Sequence, residues 1–188
     1  MPSLPETEEH APARLLAILA ASCFVASMSM RVLDPVVPEI SRDLAVPAAT
    51  VALLASAFTF PYALSQPFLG ALGDATGKAR IIKLGLAVLA LSLAAAALAP
   101  GIDALFAIRI VGGIAAGGII PLAFAMVGDR FAMDDRQWAL SRLLTAIISG
   151  QMTGALGSGL VASAYGWRLS LWASAALATV ALLITAIG

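Results

Sequence analysis

Arg31, Asp34 and Arg109 are ionisable residues set inside or at the edge of long apolar runs. Arg31 and Asp34 stand three apart in "MSMRVLDP", so on a helix they share a face and can pair. A carboxylate balanced between desolvation and nearby cations is suited to carrying a proton. Arg109 lies roughly 9 Å along a helix from Asp103, at a rise of 1.5 Å per residue. An arginine at such depth costs about 2.5 to 3.5 kcal/mol on insertion scales, and it faces a cavity or a partner unless it snorkels outward. The expected constellation places Asp34 between Arg31 and Arg109 as a substrate- and proton-coupling site. The competing reading is a superficial Arg31–Asp34 ion pair at a helix end, just before Pro35. Glu39 and Asp43 are expected to be solvated loop charges.

A second cluster is "GALGDATGKAR" at 70–80, which gathers Gly70, Asp74, Gly77, Lys78 and Arg80. Glycines end a helix tightly and admit a neighbouring backbone. Asp74 can cap a helix N-terminus, where the backbone dipole favours negative charge. A plain basic turn needs Lys78 and Arg80, but not Gly70, Asp74 and Gly77 in register with them.

A third is "SGQMTGALGSGLV", where Gly150, Gly154 and Ser158 recur every four residues, with Gly159 beside them. Small residues at that spacing form a face for close helix packing in a membrane. Gln66, Gln151 and Thr153 suit either a cavity wall or hydrogen bonds between packed helices.

Other chemistries are excluded by what the chain lacks. His10 is its one histidine and Cys23 its one cysteine. No intrachain disulfide can form, and neither a metal site nor a cofactor is expected. An intramembrane serine hydrolase built on Ser158 would need a histidine within the membrane as base, and His10 lies in a polar N-terminal stretch. The net charge of zero points to no nucleic-acid partner.

These residues must be positioned by membrane-spanning helices. Of 188 residues, 61% are hydrophobic and 12% charged, with a mean hydropathy of +0.97. The charges gather in short stretches and leave runs near the roughly 20 residues that cross a bilayer. The reading is an all-α integral membrane protein with a cytoplasmic tail over 1–12 and a six-helix bundle over 13–188. The first span covers about 13–33, is read as uncleaved, and is followed by an outer loop "DPVVPEISRD". The second covers about 47–70, with Pro47 suited to a first helical turn, and the third 84–99. The fourth begins after Asp103 as N-cap and reaches about 127. The fifth covers 138–165 and the sixth 169–187. Kinks are expected at Pro61, Pro67 and Pro121. The third and sixth spans hold nothing more polar than Ser and Thr and are expected to face lipid, with the other four facing an interior.

With the N-terminus inside, the inner segments hold Arg14, Lys78, Arg80, Lys83, Arg130, Arg136 and Arg142. The outer loops hold Arg42 and Arg168. That asymmetry predicts an N-in, C-in topology in the cytoplasmic membrane.

The 70–80 loop resembles the signature of the major facilitator superfamily, roughly G-x-L-a-D-R-x-G-R-K. Gly70, Leu72, Asp74, Gly77 and Lys78 match; Ala75 replaces an arginine that helps hold the aspartate, and the second basic residue is shifted to Arg80. Arg109, Gly113 and Gly117 resemble the family's R-x-x-x-G-x-x-x-G stretch. The loop from Asp129 to Arg136 and the turn from Tyr165 to Arg168 are similar to its next two connections. The fifth span resembles the family's antiporter pattern, with Ala155 in place of the proline and Ser158 in place of a glycine.

The resemblance covers nearly the whole chain. It implies two inverted three-helix repeats, forming one half of a secondary transporter for a small organic solute, with proton coupling as an option. Gly70, Asp74, Gly77, Lys78 and Arg80 would then be a cytoplasmic gating loop. The family has twelve spans as a rule, so a second six-helix half, from another copy or a separate chain, is an expected partner along with solute, protons and lipid. A truncated or non-transporting six-helix subunit that acts only through such a partner half is the alternative. The substrate is unmarked: the chain has no aromatic cage or dense acidic set, and Arg109 alone hints at anions.

Overall fold

The computed structural model describes residues 10–187. Helices α1 (His10–Arg31), α2 (Val37–Asp43), α3 (Ala48–Thr76), α4 (Lys78–Ala97), α5 (Ile102–Ala116), α6 (Ile119–Arg130), α7 (Met133–Met152), α8 (Ser158–Tyr165) and α9 (Trp167–Ile187) follow in order. They make six spans long and apolar enough to cross a membrane. The first is α1, continued by α2; the second, third and sixth are α3, α4 and α9. The fourth is α5 with α6, and the fifth is α7 with α8.

Local chemistry explains the joints. The first helix starts at His10, inside the stretch read from sequence as a tail. The expected outer loop after it is instead helical: a 3-10 turn, Asp34–Val36, runs into α2. Pro35 and Pro38 each fall at the start of a helical segment, where proline's missing N–H has no intrahelical partner to lose. Gly77 has φ +106° and links α3 to α4 with no other residue between them, and Gly166 at φ +88° does the same between α8 and α9.

Asp103 is not the N-cap expected of it. Gly101 takes that place in an extended conformation, and Asp103 lies in the first turn of α5, where its charge still suits the helix dipole. The fourth span breaks at Gly117 and Gly118, which puts Pro121 in the first turn of α6. Pro61 and Pro67 lie within the continuous α3. The fifth span widens to π-helical turns over Thr153–Gly157 before α8.

The first span packs on the fifth, the second on the fourth and the third on the sixth, while the third also packs as closely on the fourth. Exchanging spans one to three with four to six maps the first two pairs onto each other and the third onto itself. Two inverted three-helix repeats require this pairing. The third and sixth spans, expected to face lipid, bury substantial faces against each other and the core through Leu86, Leu89, Leu171 and Ala178. The second and fifth spans, expected to face an interior, are instead the most exposed within this unit.

Candidate functional site

Each of the two exchanged helix pairs closes on glycine. A Cβ on Gly150 would collide with the Phe24 carbonyl oxygen, and one on Gly154 with that of Met28. The small face of the fifth span thus lies directly on the backbone of the first. Ser27 Oγ donates across the same seam to Ile147 O at 2.9 Å. Ser158 is buried and donates to Gly154 O, and Gly159 meets Pro35, with its built Cβ 3.2 Å from the proline's. The fourth span repeats the arrangement on the second. Gly113 faces the Phe58 carbonyl, and a Cβ on Gly117 would stand 2.6 Å from Tyr62 O.

These close approaches bring Arg109 to the end of α1. Its side chain is 3% exposed. Nη1 donates to Ser29 O at 2.9 Å, with longer contacts from Nη2 to Met30 O and from Nε to Leu54 O, both 3.5 Å. Because α1 ends at Arg31, the carbonyls of Ser29 and Met30 lie in its last turn, where no later N–H of the helix reaches them. A cation there also opposes the negative end of the helix dipole. The guanidinium carbon sits 4.2 Å from the centre of the Phe58 ring, which adds a cation–π contact in a desolvated place.

Arg31 Nη1 meets Asp34 Oδ2 at 3.1 Å, with the two side chains 51% and 32% exposed. A pair so exposed adds roughly 0–1 kcal/mol. Arg109 does not complete the expected triad, since among the described residues no carboxylate lies within 4.0 Å of it. It holds the backbone immediately before the Arg31–Asp34 pair, because the unsatisfied carbonyls at the helix end outcompete a more exposed aspartate.

At the opposite end of the bundle, Lys78 Nζ bridges Asp74 Oδ1 at 3.0 Å and Asp129 Oδ2 at 2.8 Å. The bridge joins the α3–α4 turn to the end of α6. Asp74 therefore pairs with Lys78 rather than capping a helix of this unit. Gly70 has nothing within 4 Å of a built Cβ, whereas a Cβ on Gly73, one helical turn on, would strike Leu122. Arg80 is exposed beside this turn and lines a cavity with Asp74, Gly77 and Asp129.

A profile of the Major Facilitator Superfamily matches residues 19–187. The chain belongs to that superfamily. It is 29% identical to "Multidrug resistance protein 2" of Bacillus subtilis (strain 168) over 164 residues, 87% of this chain and 41% of the relative. It is 28% identical to "Multidrug resistance protein MdtG" of Citrobacter koseri over 180 residues, 92% of this chain and 43% of that one. A "Triacylglyceride transporter" of Mycolicibacterium hassiacum is 28% identical over 153 residues, 79% of this chain and 29% of the relative. The chain spans less than half the length of each.

Membership, with six helices long and apolar enough to cross a bilayer among the described residues, makes this major facilitator chain a multi-pass protein of the cytoplasmic membrane. Several of its site residues carried no sequence signal for their roles. Glu39 and Asp43, expected to be solvated, are engaged at the far end of the bundle. Glu39 Oε1 accepts from the Trp167 backbone N–H at 2.9 Å; Asp43 accepts from Trp167 Nε1 at 3.1 Å and pairs with Arg168. Phe58 lies in a largely apolar run that does not single it out. Asp129 is the counter-ion of Lys78 from 51 residues away.

Proposed function

We propose that this unit is the N-terminal half of a secondary transporter that moves a small organic solute by alternating access. The supporting observation is the uneven exposure of its spans. Phe60, Leu64 and Phe68 of the second and Ile148, Met152, Leu156 and Leu160 of the fifth are exposed, though these helices are anchored on their other sides by glycine seams. A second six-helix half seated there would account for the relatives being more than twice as long. The drug-resistance names of two relatives favour lipophilic solutes. An N-in, C-in orientation is supported by Arg14, Lys78, Arg80, Lys83 and Arg130 lining cavities at one end, while Arg42 and Arg168 line one at the other.

In this reading Asp34 is the coupling carboxylate and Arg31 its counter-ion. Arg109 positions both by holding the backbone of Ser29 and Met30. Protonating Asp34 would release Arg31 without disturbing the buried clamp. A change in the ion pair can then alternate with solute occupancy while α1 keeps its end fixed.

The test reconstitutes the chain into proteoliposomes, alone and with a separately expressed second half, and follows ethidium flux under an imposed proton gradient beside the oligomeric mass in detergent. Gradient-driven flux by a two-half assembly, lost in Asp34→Asn, is the expected result. Flux that ignores Asp34 removes the coupling assignment. A stable assembly without flux for ethidium or any other lipophilic dye tried favours a non-transporting subunit.

A further inference from the structure

We propose that a cavity at the basic end of the bundle binds the phosphate headgroup of an anionic phospholipid. The cavity measures about 570 Å³ and is walled by α1, α4, α6 and α9. That volume falls within the range of small-molecule sites. Arg14, Lys83 and Arg130 bring cations to it from three different helices, while Leu19, Ile82 and Thr185 supply buried wall. Arg14 Nη2 donates to Ile187 O at 3.0 Å, which fixes its charge between the first and sixth spans.

The other two cations form no ion pair with the described residues. Among the described residues neither Lys83 nor Arg130 has a carboxylate within ion-pair distance, and Asp129, next to Arg130, is committed to Lys78. Lys83 stands about 7.5 Å inside α4 from Lys78, a depth suited to the headgroup layer rather than to open water. A basic pocket between spans on the inner side is chemically matched to an anionic headgroup in that leaflet.

A soluble phosphate would bring the same charge. It would leave the apolar wall of Leu19 and Ile82 uncovered, whereas a lipid covers it with glycerol and the first acyl carbons. The cavity lies between the third and sixth spans and the core, away from the exposed second and fifth spans. Its occupancy therefore does not require the second half proposed to sit on those two spans.

The test is native mass spectrometry of the full chain in detergent, titrated with phosphatidylglycerol and phosphatidylcholine. One retained phosphatidylglycerol is expected, with at least a tenfold preference over phosphatidylcholine. Lys83→Gln combined with Arg130→Gln should lower retention at least tenfold; Lys83→Arg should keep it and show that the fold is intact. Arg142→Gln, a basic residue of the fifth span outside the cavity, should change nothing. An equal loss in Arg142→Gln would reduce the effect to diffuse surface charge and overturn the site. Displacement by inorganic phosphate or glycerol 3-phosphate at the lipid's own concentration would make it a soluble-phosphate site. If phosphatidylglycerol binds only after Glu6→Gln, Glu8→Gln and Glu9→Gln are combined, the acidic N-terminal segment is the occupant and the lipid assignment falls.

Discussion

The Arg109 guanidinium carbon lies 4.2 Å from the centre of the Phe58 ring, so a cation of the fourth span rests on an aromatic face of the second while it donates into the end of the first. Three helices meet on one side chain. Lysine can supply the charge but not the planar fork that stacks and reaches separate carbonyls at once. Arg109→Lys should lower flux at least tenfold and lower the thermal midpoint in detergent. Phe58→Leu, which keeps the hydrogen bonds, should lower the midpoint less. Proteoliposome flux beside thermal unfolding separates the two, and a fully active Arg109→Lys would show that charge alone suffices.

Gly154 and Gly70 should respond oppositely to a side chain. Gly154→Val drives a side chain into the Met28 carbonyl and should destabilise by about 1–3 kcal/mol or more, as overpacked cores do. Gly70→Ala meets open space inside α3 and should be neutral or stabilising by up to about 1 kcal/mol, because alanine favours the helix. If Gly70 instead receives the second half, Gly70→Ala should impair flux without loss of stability. Urea titration of the detergent-solubilised chain, paired with flux, reads both.

Lys78 holds two carboxylates, so removing it leaves Asp74 and Asp129 without their shared cation. Lys78→Gln should accelerate amide exchange in the first turn of α4 and the last turn of α6. Asp74→Asn should act more weakly, because the 2.8 Å contact to Asp129 remains. Equal exchange in both variants would mean that the bridge does not restrain these ends.

At the other end, Asp43 joins α2 to the start of α9 through Trp167 and Arg168. In a background where Trp138 and Trp172 are replaced by Phe, Asp43→Ala should shift Trp167 emission to the red as its indole N–H turns to water. Unchanged emission would show that the indole is held by packing alone.

Hydropathy sufficed to locate the six spans, because a membrane helix must satisfy its own backbone and so declares itself as an apolar run of bilayer length. The loop at 70–80 and the small face at 150–159 were legible for a similar reason: charge at a helix end and glycine at four-residue spacing are local patterns. The helix over residues 34–43 was missed because its charged, proline-containing sequence carries no apolar run of bilayer length, although Pro35 and Pro38 each sit where a helical segment begins.

The sequence by itself determined that this chain crosses a membrane six times, which end is basic, and where helices approach closely. Only the tertiary structure decided what Arg109 binds. Its partners are the carbonyls of Ser29, Met30 and Leu54, atoms that every residue carries and no pattern marks. The same holds for which spans stay exposed. Burial depends on how two repeats pair, and the second and fifth spans are left open because the first and fourth fill the centre.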